Sequence, residues 1–458
     1  MSGRNRSLKV GVSGVRGMIG GSFTPQLACG FAQAFGAFVG RGAVLVGRDT
    51  RPSGPMIENA VIAGLESVGC KPILAGVVPT PTLLYLARQT SVRGGIMITA
   101  SHNPAPWNAL KFIGGNGLFL SESRAQELFD IYHQQQFPLV EEGELRMVEV
   151  EKYPTEEHFK AILKYVDAPA IRTRKFRVAV DCCNGVGALY SPFFLQALLG
   201  CEVFPVFDTP SGLFERDPEP LPKNLSALSR CVVENGCDIG FAQDPDGDRL
   251  AIVDEQGQPI GEDLTPALAA SQVLNRHERG PIAVNLSTSK AVDAVAARFG
   301  VKVYRTRIGE INVAEAMIEK GCVIGGEHNG GVMIRSIHPC RDSFSGMALL
   351  LELLADSGKT VSALRAEIPR YAVVRDKRPL SAYRATRALR GLRHRVVSGT
   401  VSLLDGVYID LGEGWIHVRR SNTEPVLRCT VEAPTQEQAE VWLRETWDKV
   451  DAVLGPDA

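Results

Sequence analysis

The sequence lacks the features of a disulfide-bonded, membrane-embedded or nucleic-acid-binding protein. Its ten cysteines include no Cys-X-X-Cys pair, so we expect buried free thiols rather than a disulfide framework or a zinc site. It contains no apolar run of membrane length. The formal net charge is −1, so there is no overall basic field to attract nucleic acid or an anionic membrane. We therefore expect neither of these as a partner.

The first residues also lack the apolar segment of a secretory signal. Met-Ser-Gly-Arg-Asn-Arg-Ser leads directly into a strand-like segment that begins at Leu8. This start predicts a cytoplasmic protein. The sequence leaves open whether the protein is a monomer or a homodimer.

The length of the chain predicts several domains. A single hydrophobic core stops growing well below 458 residues, so three or four domains are expected. Hydrophobic residues make up 45% and charged residues 22% of the chain, which is the composition of a globular protein.

The first 150 residues alternate between strand and helix patterns. Thr24 is placed to cap a helix, with Pro25 in its first turn and Gly40 at its end. Buried strands are predicted at residues 43–46, 71–75 and 95–98. This alternation predicts a mainly parallel sheet with helices on both sides.

The same alternation recurs twice before the pattern changes. A second unit runs from a strand at 176–180, through a helix at 225–235 capped by Asn224, to a strand at 238–243; a third unit has strands at 282–286, 301–305 and 323–325. From about residue 370, short antiparallel strands at 401–404, 406–411 and 414–419 precede a helix from Thr435 to about Leu454. The predicted fold is α/β, with three doubly wound α/β domains followed by one α+β domain. Their predicted bounds are 1–153, 154–258, 259–369 and 370–458.

Three polar loops follow predicted strands directly. They lie at residues 99–104, 244–249 and 326–331. Ligands of open parallel sheets bind beyond the carboxyl ends of the strands. We therefore expect the three loops to line one central cleft.

The loop Asp244-Pro-Asp-Gly-Asp-Arg249 has three carboxylates at alternate positions. Alternate residues of an extended segment face the same way, so the carboxylates can converge on one hard divalent cation. A solvated acidic turn is the simpler alternative. A calcium loop would place Glu255 at its twelfth position, but the sixth position requires Gly and holds Arg249. The strand-like flanks also exclude that loop.

The loop Thr99-Ala-Ser-His-Asn-Pro104 offers a nucleophile at the edge of the predicted sheet. Ser101 would be exposed there beside His102, and Lys111 follows close enough to bring a cation to the same space. An ordinary turn remains the alternative when this loop is considered alone.

Two further segments are suited to binding a sugar phosphate. Arg419-Arg-Ser-Asn-Thr-Glu-Pro-Val-Leu-Arg428 combines guanidinium groups with hydroxyl, amide and backbone donors, which suits phosphate; Gly14-Val-Arg16-Gly17 and Gly47-Arg48-Asp-Thr-Arg51 are weaker versions. Gly326-Glu-His-Asn-Gly-Gly331 offers polar groups suited to sugar hydroxyls. A charged hairpin and a polar surface turn are the alternatives. Together with a metal site and a nucleophile, the set predicts phosphoryl transfer.

The four motifs, in this order and at domain-scale spacing, resemble the α-D-phosphohexomutase family over nearly the whole chain. The resemblance implies four domains around a deep cleft and interconversion of hexose 1-phosphate and 6-phosphate. It implies that Ser101 carries the phosphoryl group and that Asp244, Asp246 and Asp248 hold Mg²⁺ against it. The implied partners are a sugar phosphate substrate and a bisphosphorylated sugar intermediate.

The resemblance also implies roles for the remaining site residues. The catalytic neighbourhood would contain Arg16, Lys111, His102 and Arg249. The substrate-binding residues would be Glu327, His328, Asn329, Arg419, Ser421, Asn422, Thr423 and Arg428. Many family members carry His where this chain has Gly331, and the sequence does not say which residue replaces it.

The identity of the sugar rests on one branch of the family. The Gly-Glu-X-Asn-Gly-Gly form of the loop at 326–331 resembles archaeal-type members and favours glucosamine phosphate; mannose and glucose phosphates are the alternatives. A phosphatase or mutase that forms an aspartyl phosphate at Asp244 is a hypothesis of another class, but it leaves Ser101 without a role. A non-catalytic sugar-phosphate-binding protein is a third hypothesis.

Overall fold

The computed structural model describes residues 8–11, 14–396, 398–421 and 425–455. These residues form four β-sheets of seven, four, four and five strands, one after another along the chain. We call the units built on these sheets domains I to IV. The four units confirm the predicted fold class, whereas the bounds given above stay a prediction.

Domain I begins as the sequence predicts. Thr24 caps the first helix, its Oγ1 accepting a hydrogen bond from the N–H of Leu27 at 3.2 Å, and Gly40 ends it with a φ of 75°. The strands and helices of domain I are β1 (Lys9–Gly11), β2 (Gly14–Met18), α1 (Pro25–Val39), β3 (Ala43–Arg48), α2 (Gly54–Ser67), β4 (Lys71–Val77), α3 (Thr80–Gln89), β5 (Gly94–Ile98), β6 (Trp107–Gly114), α4 (Glu122–Gln134) and β7 (Glu149–Val150).

The sheet of domain I is more mixed than the sequence predicts. Its strand order is β1-β2-β6-β5-β3-β4-β7. Strands β5, β3, β4 and β7 run parallel, while β1, β2 and β6 are antiparallel to their neighbours. The sequence prediction missed β6 because Asn108 and Lys111 interrupt its apolar residues. Both side chains are nevertheless buried.

Domain II forms a four-stranded sheet of order β11-β10-β8-β9. Its elements are α5 (Glu156–Tyr165), α6 (Ala168–Arg174), β8 (Arg177–Asp181), α7 (Gly187–Phe193), β9 (Glu202–Val206), α8 (Ser226–Glu234), β10 (Ile239–Gln243) and β11 (Leu250–Val253). The predicted cap at Asn224 is wrong. Helix α8 begins at Ser226, and the Asn224 side chain instead donates to the carbonyl of Glu219 at 2.8 Å.

Domain III repeats this plan and shares its core with domain II. Its elements are α9 (Thr265–Gln272), β12 (Ile282–Asn285), α10 (Ala291–Phe299), β13 (Val303–Thr306), α11 (Glu310–Glu319), β14 (Ile324–Glu327), β15 (Gly331–Ile334), α12 (Ser343–Ser357) and α13 (Val361–Ala366). The rings of Phe159 and Phe344, one from each domain, lie 5.0 Å apart between centroids. One continuous apolar core therefore fixes the two domains relative to each other.

Domain IV is an antiparallel sheet of order β16-β20-β19-β18-β17. Its elements are β16 (Ala372–Pro379), α14 (Ala382–Leu392), β17 (Thr400–Ser402), β18 (Val407–Asp410), β19 (Trp415–Arg420), β20 (Val426–Ala433) and α15 (Gln436–Leu454). Helix α15 confirms the predicted closing helix, and it begins one residue later than predicted because Thr435 is its cap. Side chains such as Leu427, Val431 and Trp447 form the core between the sheet and its helices.

The three motif loops occupy equivalent places in domains I to III. Each follows a strand that has a parallel neighbour and leads into an antiparallel strand: β5 into β6, β10 into β11, and β14 into β15. All three loops therefore lie at the carboxyl ends of parallel strands, where the sequence predicts the cleft.

Two other predictions concern the whole chain. All ten cysteines are free thiols, and eight of them are buried, which confirms the prediction from the sequence. Within the described residues, none of the helices combines the length and the apolar character needed to span a bilayer.

Candidate active site

Ser101 lies where the loop of domain I meets the loop of domain II. Its Oγ donates a hydrogen bond to Oδ2 of Asp244 at 2.8 Å, and its residue is 6% exposed. Its φ of 49° is in the left-handed region, which is costly for a residue with a Cβ. The backbone N–H of Ser101 donates to Oγ1 of Thr99 at 2.9 Å. The surrounding loop therefore holds Ser101 in a conformation that aims its hydroxyl at the acidic loop.

Arg51 holds this loop in place. Its fully buried guanidinium donates to the side chain of Asp49 and to four backbone carbonyls of the serine loop. These acceptors are Asp49 Oδ2 at 3.0 Å and the carbonyls of Ser101 at 2.6 Å, Asn103 at 2.6 Å, Pro104 at 2.9 Å and Trp107 at 3.1 Å. These bonds use all the N–H donors of the guanidinium group, so Arg51 has none left for a phosphate. The interpretation of residues 47–51 as a phosphate-binding segment is therefore wrong for Arg51.

Asp244, Asp246 and Asp248 are fully buried, and one carboxylate oxygen from each lies within 4.8 Å of the others. The Oδ1 atoms of Asp246 and Asp248 have no hydrogen-bond partner among the described residues. Buried polar atoms are almost always satisfied, so two such orphaned oxygens indicate a missing ligand. A set of hard carboxylate oxygens fits Mg²⁺.

Cationic and hydroxyl groups from domain I offset part of this charge. Nζ of Lys111, on β6, lies 2.7 Å from Asp246 Oδ2 and 3.7 Å from Asp248 Oδ2. Thr80 Oγ1 donates to the same oxygen of Asp246 at 2.7 Å. Burial is the largest single influence and would raise the pKa of Asp246, but the charge of Lys111 and the hydrogen bonds of Asp244, Lys111 and Thr80 together lower it. Burial and the carboxylates of Asp248 and Asp246 raise the pKa of Asp244 well above its ordinary value.

Arg16 and His102 lie at the serine loop, and the backbone N–H of Arg249 donates to Oδ1 of Asp244, the carboxylate that Ser101 contacts. Their catalytic roles stay a prediction from the resemblance. Arg16 Nη1 lies 3.5 Å from Oδ1 of Asn103, and His102 Nδ1 lies 3.4 Å from Ser101 Oγ. Burial, followed by the charges of Arg249 and Arg16, lowers the pKa of His102 well below its ordinary value. His102 is therefore a neutral imidazole at physiological pH.

The loop of domain III packs directly against the metal loop. Gly330 accepts a backbone hydrogen bond from Leu250 at 3.1 Å, and a Cβ at Gly330 would lie 2.2 Å from the Leu250 carbonyl oxygen. The φ of Gly330 is also positive, at 80°. Only glycine permits this approach.

The polar side chains of this loop differ in whether they already have hydrogen-bond partners within the protein. Glu327 Oε1 accepts from Asn285 Nδ2 at 2.8 Å and from the N–H of Gly309 at 3.3 Å. Oδ1 of Asn329 has no partner within the described part of the chain. Burial and the nearby arginines, Arg375 first, lower the pKa of His328 well below its ordinary value. Asn329 therefore offers an oxygen without a hydrogen-bond partner among the described residues, whereas His328 Nδ1 lies 3.5 Å from Asn285 Nδ2.

Sequence analysis missed Arg341, which precedes α12. Its guanidinium lies 2.6 Å from Asp248 Oδ2 and 2.9 Å from Glu327 Oε2. A lone arginine outside any glycine-marked loop cannot be recognised as a site residue from a single sequence. Gly331, which lies beside Arg341 in space, was an indirect indication, because a glycine at that position leaves room for another side chain.

The phosphate-binding segment of domain IV is built on paired strands. Arg419 of β19 lies opposite Arg428 of β20, which in turn lies opposite Lys377 of β16. Residues directly opposite each other in antiparallel strands share one face of the sheet, so three cationic side chains form a row. Sequence analysis missed Lys377. Ser421 is buried at the end of β19, whereas Asn422 and Thr423 lie outside the described residues.

Arg419, at the end of this row, lies within electrostatic reach of the loop at residues 326–331. Burial lowers the pKa of Arg419, and the charges of Asp405 and then Glu327 oppose that shift. Arg419 is likewise among the charges that lower the pKa of His328. That the whole row and the other predicted site residues line one cleft stays a prediction.

Family comparisons cover the same four units. Sequence profiles described as phosphoglucomutase/phosphomannomutase alpha/beta/alpha domains I, II and III match residues 7–139, 156–257 and 262–371. The profile of the C-terminal domain matches residues 372–448. The chain belongs to the phosphoglucomutase/phosphomannomutase family. This membership confirms the resemblance found in the sequence, and it makes the chain an intramolecular phosphotransferase of the isomerase class.

Individual relatives of this phosphoglucomutase/phosphomannomutase family protein match over nearly their whole length. A probable phosphoglucosamine mutase of Methanopyrus kandleri is 38% identical over 437 residues, which cover 94% of each chain. A phosphoglucomutase/phosphomannomutase of Thermococcus kodakarensis is 37% identical over 94% of this chain and 96% of its own. A family member of solved structure from Burkholderia thailandensis superimposes with a TM-score of 0.87 at 26% identity, covering 99% of this chain and 98% of its own.

The acidic loop generates a prediction about metal binding. Titration of Mg²⁺ into the unphosphorylated, chelator-treated enzyme should give saturable heat. Asp244→Asn removes one of the three carboxylates that converge on the metal position and should weaken Mg²⁺ binding at least about 10-fold. Loss of a residue that only orients a metal ligand already costs about that much. The matched control is Asp254→Asn, a buried carboxylate that caps a turn in the same domain. Equal Mg²⁺ affinity in both variants would show that this loop does not bind the metal.

The serine loop generates a prediction about Arg51. Lysine cannot reach four carbonyls from one ammonium group, so Arg51→Lys should let Ser101 shift. A displacement of about 1 Å at a reacting group can cost about 100-fold in rate, and we expect a fall in kcat of that order. Arg48→Lys, which changes an arginine paired with Glu58, is the control. Circular dichroism would verify the fold, and an unchanged kcat in Arg51→Lys would contradict the role.

Proposed function

We propose that this phosphohexomutase interconverts the 1- and 6-phosphates of glucosamine through a phosphorylated Ser101 and a bisphosphorylated sugar. One observation carries the proposal. A strained, hydrogen-bonded serine points at a buried set of three aspartates, 2.8 Å from the first of them. A sugar-binding loop and a row of cations face the same place, which are the parts that phosphoryl transfer to a sugar requires.

In the first half of the reaction, phosphorylated Ser101 is the donor. The free hydroxyl oxygen of the sugar phosphate attacks phosphorus, and the bond between phosphorus and Ser101 Oγ breaks. A cationic side chain gives a proton to the leaving Ser101 Oγ and takes up the proton of the attacking hydroxyl group, so the number of protons is unchanged. Lys111 and Arg16 are the groups we assign to that proton transfer, because both lie beside the serine and the acidic loop. The product is the bisphosphorylated sugar, and Ser101 regains a hydroxyl group.

In the second half, the intermediate turns around and returns its other phosphoryl group to Ser101. The phosphate that is not transferred needs one fixed anchor in both orientations. We assign that anchor to Arg419, Ser421 and Arg428, with Asn422 and Thr423 beside them in sequence. The loop with Glu327, His328 and Asn329 would bind sugar hydroxyls, since acceptors and donors on one loop can serve several hydroxyl arrangements.

Asp244, Asp246 and Asp248 would hold Mg²⁺, together with a phosphate oxygen on Ser101. Bound there, the ion would supply positive charge to the phosphoryl group being transferred. Without the ion, a phosphate on Ser101 would be repelled by the carboxylate of Asp244, which the hydroxyl group of Ser101 contacts at 2.8 Å. The two orphaned carboxylate oxygens support this assignment.

The sugar is assigned from the names of the relatives. The Methanopyrus kandleri relative is named a probable phosphoglucosamine mutase. The Thermococcus kodakarensis relative of nearly equal identity is named a phosphoglucomutase/phosphomannomutase, and it keeps glucose and mannose phosphates as the second candidates. A cytoplasmic location stays a prediction from the sequence.

Locating the phosphorylated residue tests whether Ser101 carries the phosphoryl group. Enzyme incubated with a bisphosphorylated hexose should gain the mass of one phosphoryl group, and peptide mapping should place it on Ser101. Ser101→Ala should keep the fold and lose turnover, because no nucleophile remains. Ser123→Ala, at an exposed position, should behave as wild type. Phosphate on Asp244 instead would establish the aspartyl-phosphate mechanism.

A substrate panel tests the sugar. The 1-phosphates of glucosamine, glucose and mannose should be compared at equal enzyme and Mg²⁺ concentrations. We expect kcat/KM to be highest for glucosamine 1-phosphate, by at least about 10-fold, which corresponds to about 1.4 kcal/mol of differential transition-state binding. A higher kcat/KM for glucose or mannose phosphate would replace the proposed substrate and leave the mutase reaction intact.

A further inference from the structure

We propose that Arg341 is a positioning residue that joins the metal loop to the sugar-binding loop, and that Gly331 is required because Arg341 passes through the space beside it. The inference rests on the proposed function, since it concerns how two parts of the same site are held together. Arg341 itself would touch neither the phosphoryl group nor the sugar. It would act through the carboxylates that it orients.

The guanidinium of Arg341 lies among three carboxylates from three different segments. Its nitrogen atoms are 2.6 Å from Asp248 Oδ2, 2.9 Å from Glu327 Oε2 and 3.1 Å from Glu310 Oε2. The backbone N–H of Arg341 also donates to Glu310 Oε1 at 2.9 Å. Asp248 belongs to the metal loop, Glu327 to the sugar-binding loop, and Glu310 begins α11. One planar cation therefore links the carboxylates of both loops.

The link fixes the orientation of both carboxylates. Arg341 occupies Oδ2 of Asp248, while Oδ1 has no hydrogen-bond partner among the described residues. In Glu327, Arg341 occupies Oε2 and Asn285 occupies Oε1. Both carboxylates are therefore held in a single orientation. Partners that orient a metal ligand typically change metal affinity about 10–100-fold when they are removed.

The route of the side chain explains the glycine at 331. A Cβ built on Gly331 would lie 2.4 Å from Cδ and 2.7 Å from Cγ of Arg341, distances that real atoms do not adopt. These atoms are in the middle of the side chain, so they cannot move aside without moving the guanidinium. The next contact of that Cβ is Oδ1 of Asn329 at 3.3 Å, which is tolerable. The conflict at position 331 is thus with Arg341 alone.

Lysine cannot replace the arginine. An ammonium group is a compact charge without the fixed fork of the guanidinium, so it can satisfy one of the two loops but not both. Arg341→Lys should therefore keep the local charge and still separate the loops.

The first measurement is direct Mg²⁺ binding by calorimetry on the unphosphorylated enzyme, alongside KM and kcat for the hexose phosphate. We expect Arg341→Lys to weaken Mg²⁺ binding about 10–100-fold and to raise KM. Arg335→Lys is the matched control, because this arginine of the same domain is paired only with Glu278 in the described residues. Unchanged Mg²⁺ affinity and KM in Arg341→Lys would overturn the proposal.

The second measurement is a double-mutant cycle between positions 331 and 341. Gly331→Ala should weaken Mg²⁺ binding in the wild-type background, because the added methyl group displaces Arg341. In the Arg341→Ala background the same methyl group meets an empty space and should have no further effect. Gly143→Ala, where a Cβ meets nothing within 4 Å, is the control glycine. Equal effects of Gly331→Ala in both backgrounds would show that the glycine acts through the backbone and would overturn the pairing.

The cycle remains informative if Arg341→Ala does not fold. Gly331→Ala and Arg341→Lys then decide the matter alone, since each must lower Mg²⁺ affinity for the proposal to stand. Failure of the proposed mutase reaction would be recognised separately. It would appear as absent turnover of every hexose phosphate by the wild-type enzyme, whereas the calorimetry needs no turnover.

Discussion

Three carboxylates buried within 4.8 Å of one another impose the main physical constraint on this molecule. Burial removes the water that would otherwise screen their mutual repulsion, so the protein must bring compensating charge to them. Arg249 of domain II supplies part of that charge. The rest comes from outside the domain, because Lys111 belongs to domain I and Arg341 to domain III. The charge balance of the acidic loop therefore depends on residues of three domains.

The repeated architecture makes this convergence possible. In domains I, II and III a strand with a parallel neighbour ends, a loop follows, and an antiparallel strand returns. Three separate loops are thereby presented in the same way, and the apolar core shared by domains II and III sets two of them against each other. The close approach of Gly330 to Leu250 results from this packing. The domain count and the site geometry thus have one structural origin.

The features that could be predicted from the sequence are those that depend on residues close to one another along the chain. The capped helix α1, the acidic loop and the serine loop depend on neighbours in sequence, so spacing alone indicated them. The mixed sheet of domain I could not be predicted in the same way. Strand β6 contains the polar residues Asn108 and Lys111, which are buried because Asn108 donates to Ser53 Oγ and Lys111 donates to Asp246. The predicted cap at Asn224 is wrong because α8 begins at Ser226, so that Leu225 occupies the cap position, and Asn224 Nδ2 donates to the carbonyl of Glu219.

Long-range ion pairs were beyond a single sequence. Arg341 is separated from Asp248 by 93 residues, and nothing near it in sequence distinguishes it from a surface arginine. Arg51 was misinterpreted for a related reason. Its position after glycine and aspartate suggests an anion site, but its donors face the carbonyls of a loop some fifty residues away. An arginine in a single sequence does not reveal whether its partner is a ligand, a carboxylate or a backbone carbonyl.

The two ends of the cleft carry opposite and incomplete charge. At one end, two carboxylate oxygens of the acidic loop have no hydrogen-bond partner in the described part of the chain. At the other end, the strand register of domain IV sets Lys377, Arg428 and Arg419 side by side on one face. Like charges directly opposite each other destabilise a sheet, so an anion bound to this row would relieve repulsion, as a cation would at the acidic loop. Under the proposed function, a bisphosphorylated sugar would meet both requirements at once, with one phosphate near the acidic loop and the other against the cationic row. Because the two places differ in charge, such an intermediate would exchange its phosphates by turning around, while the protein groups keep their positions.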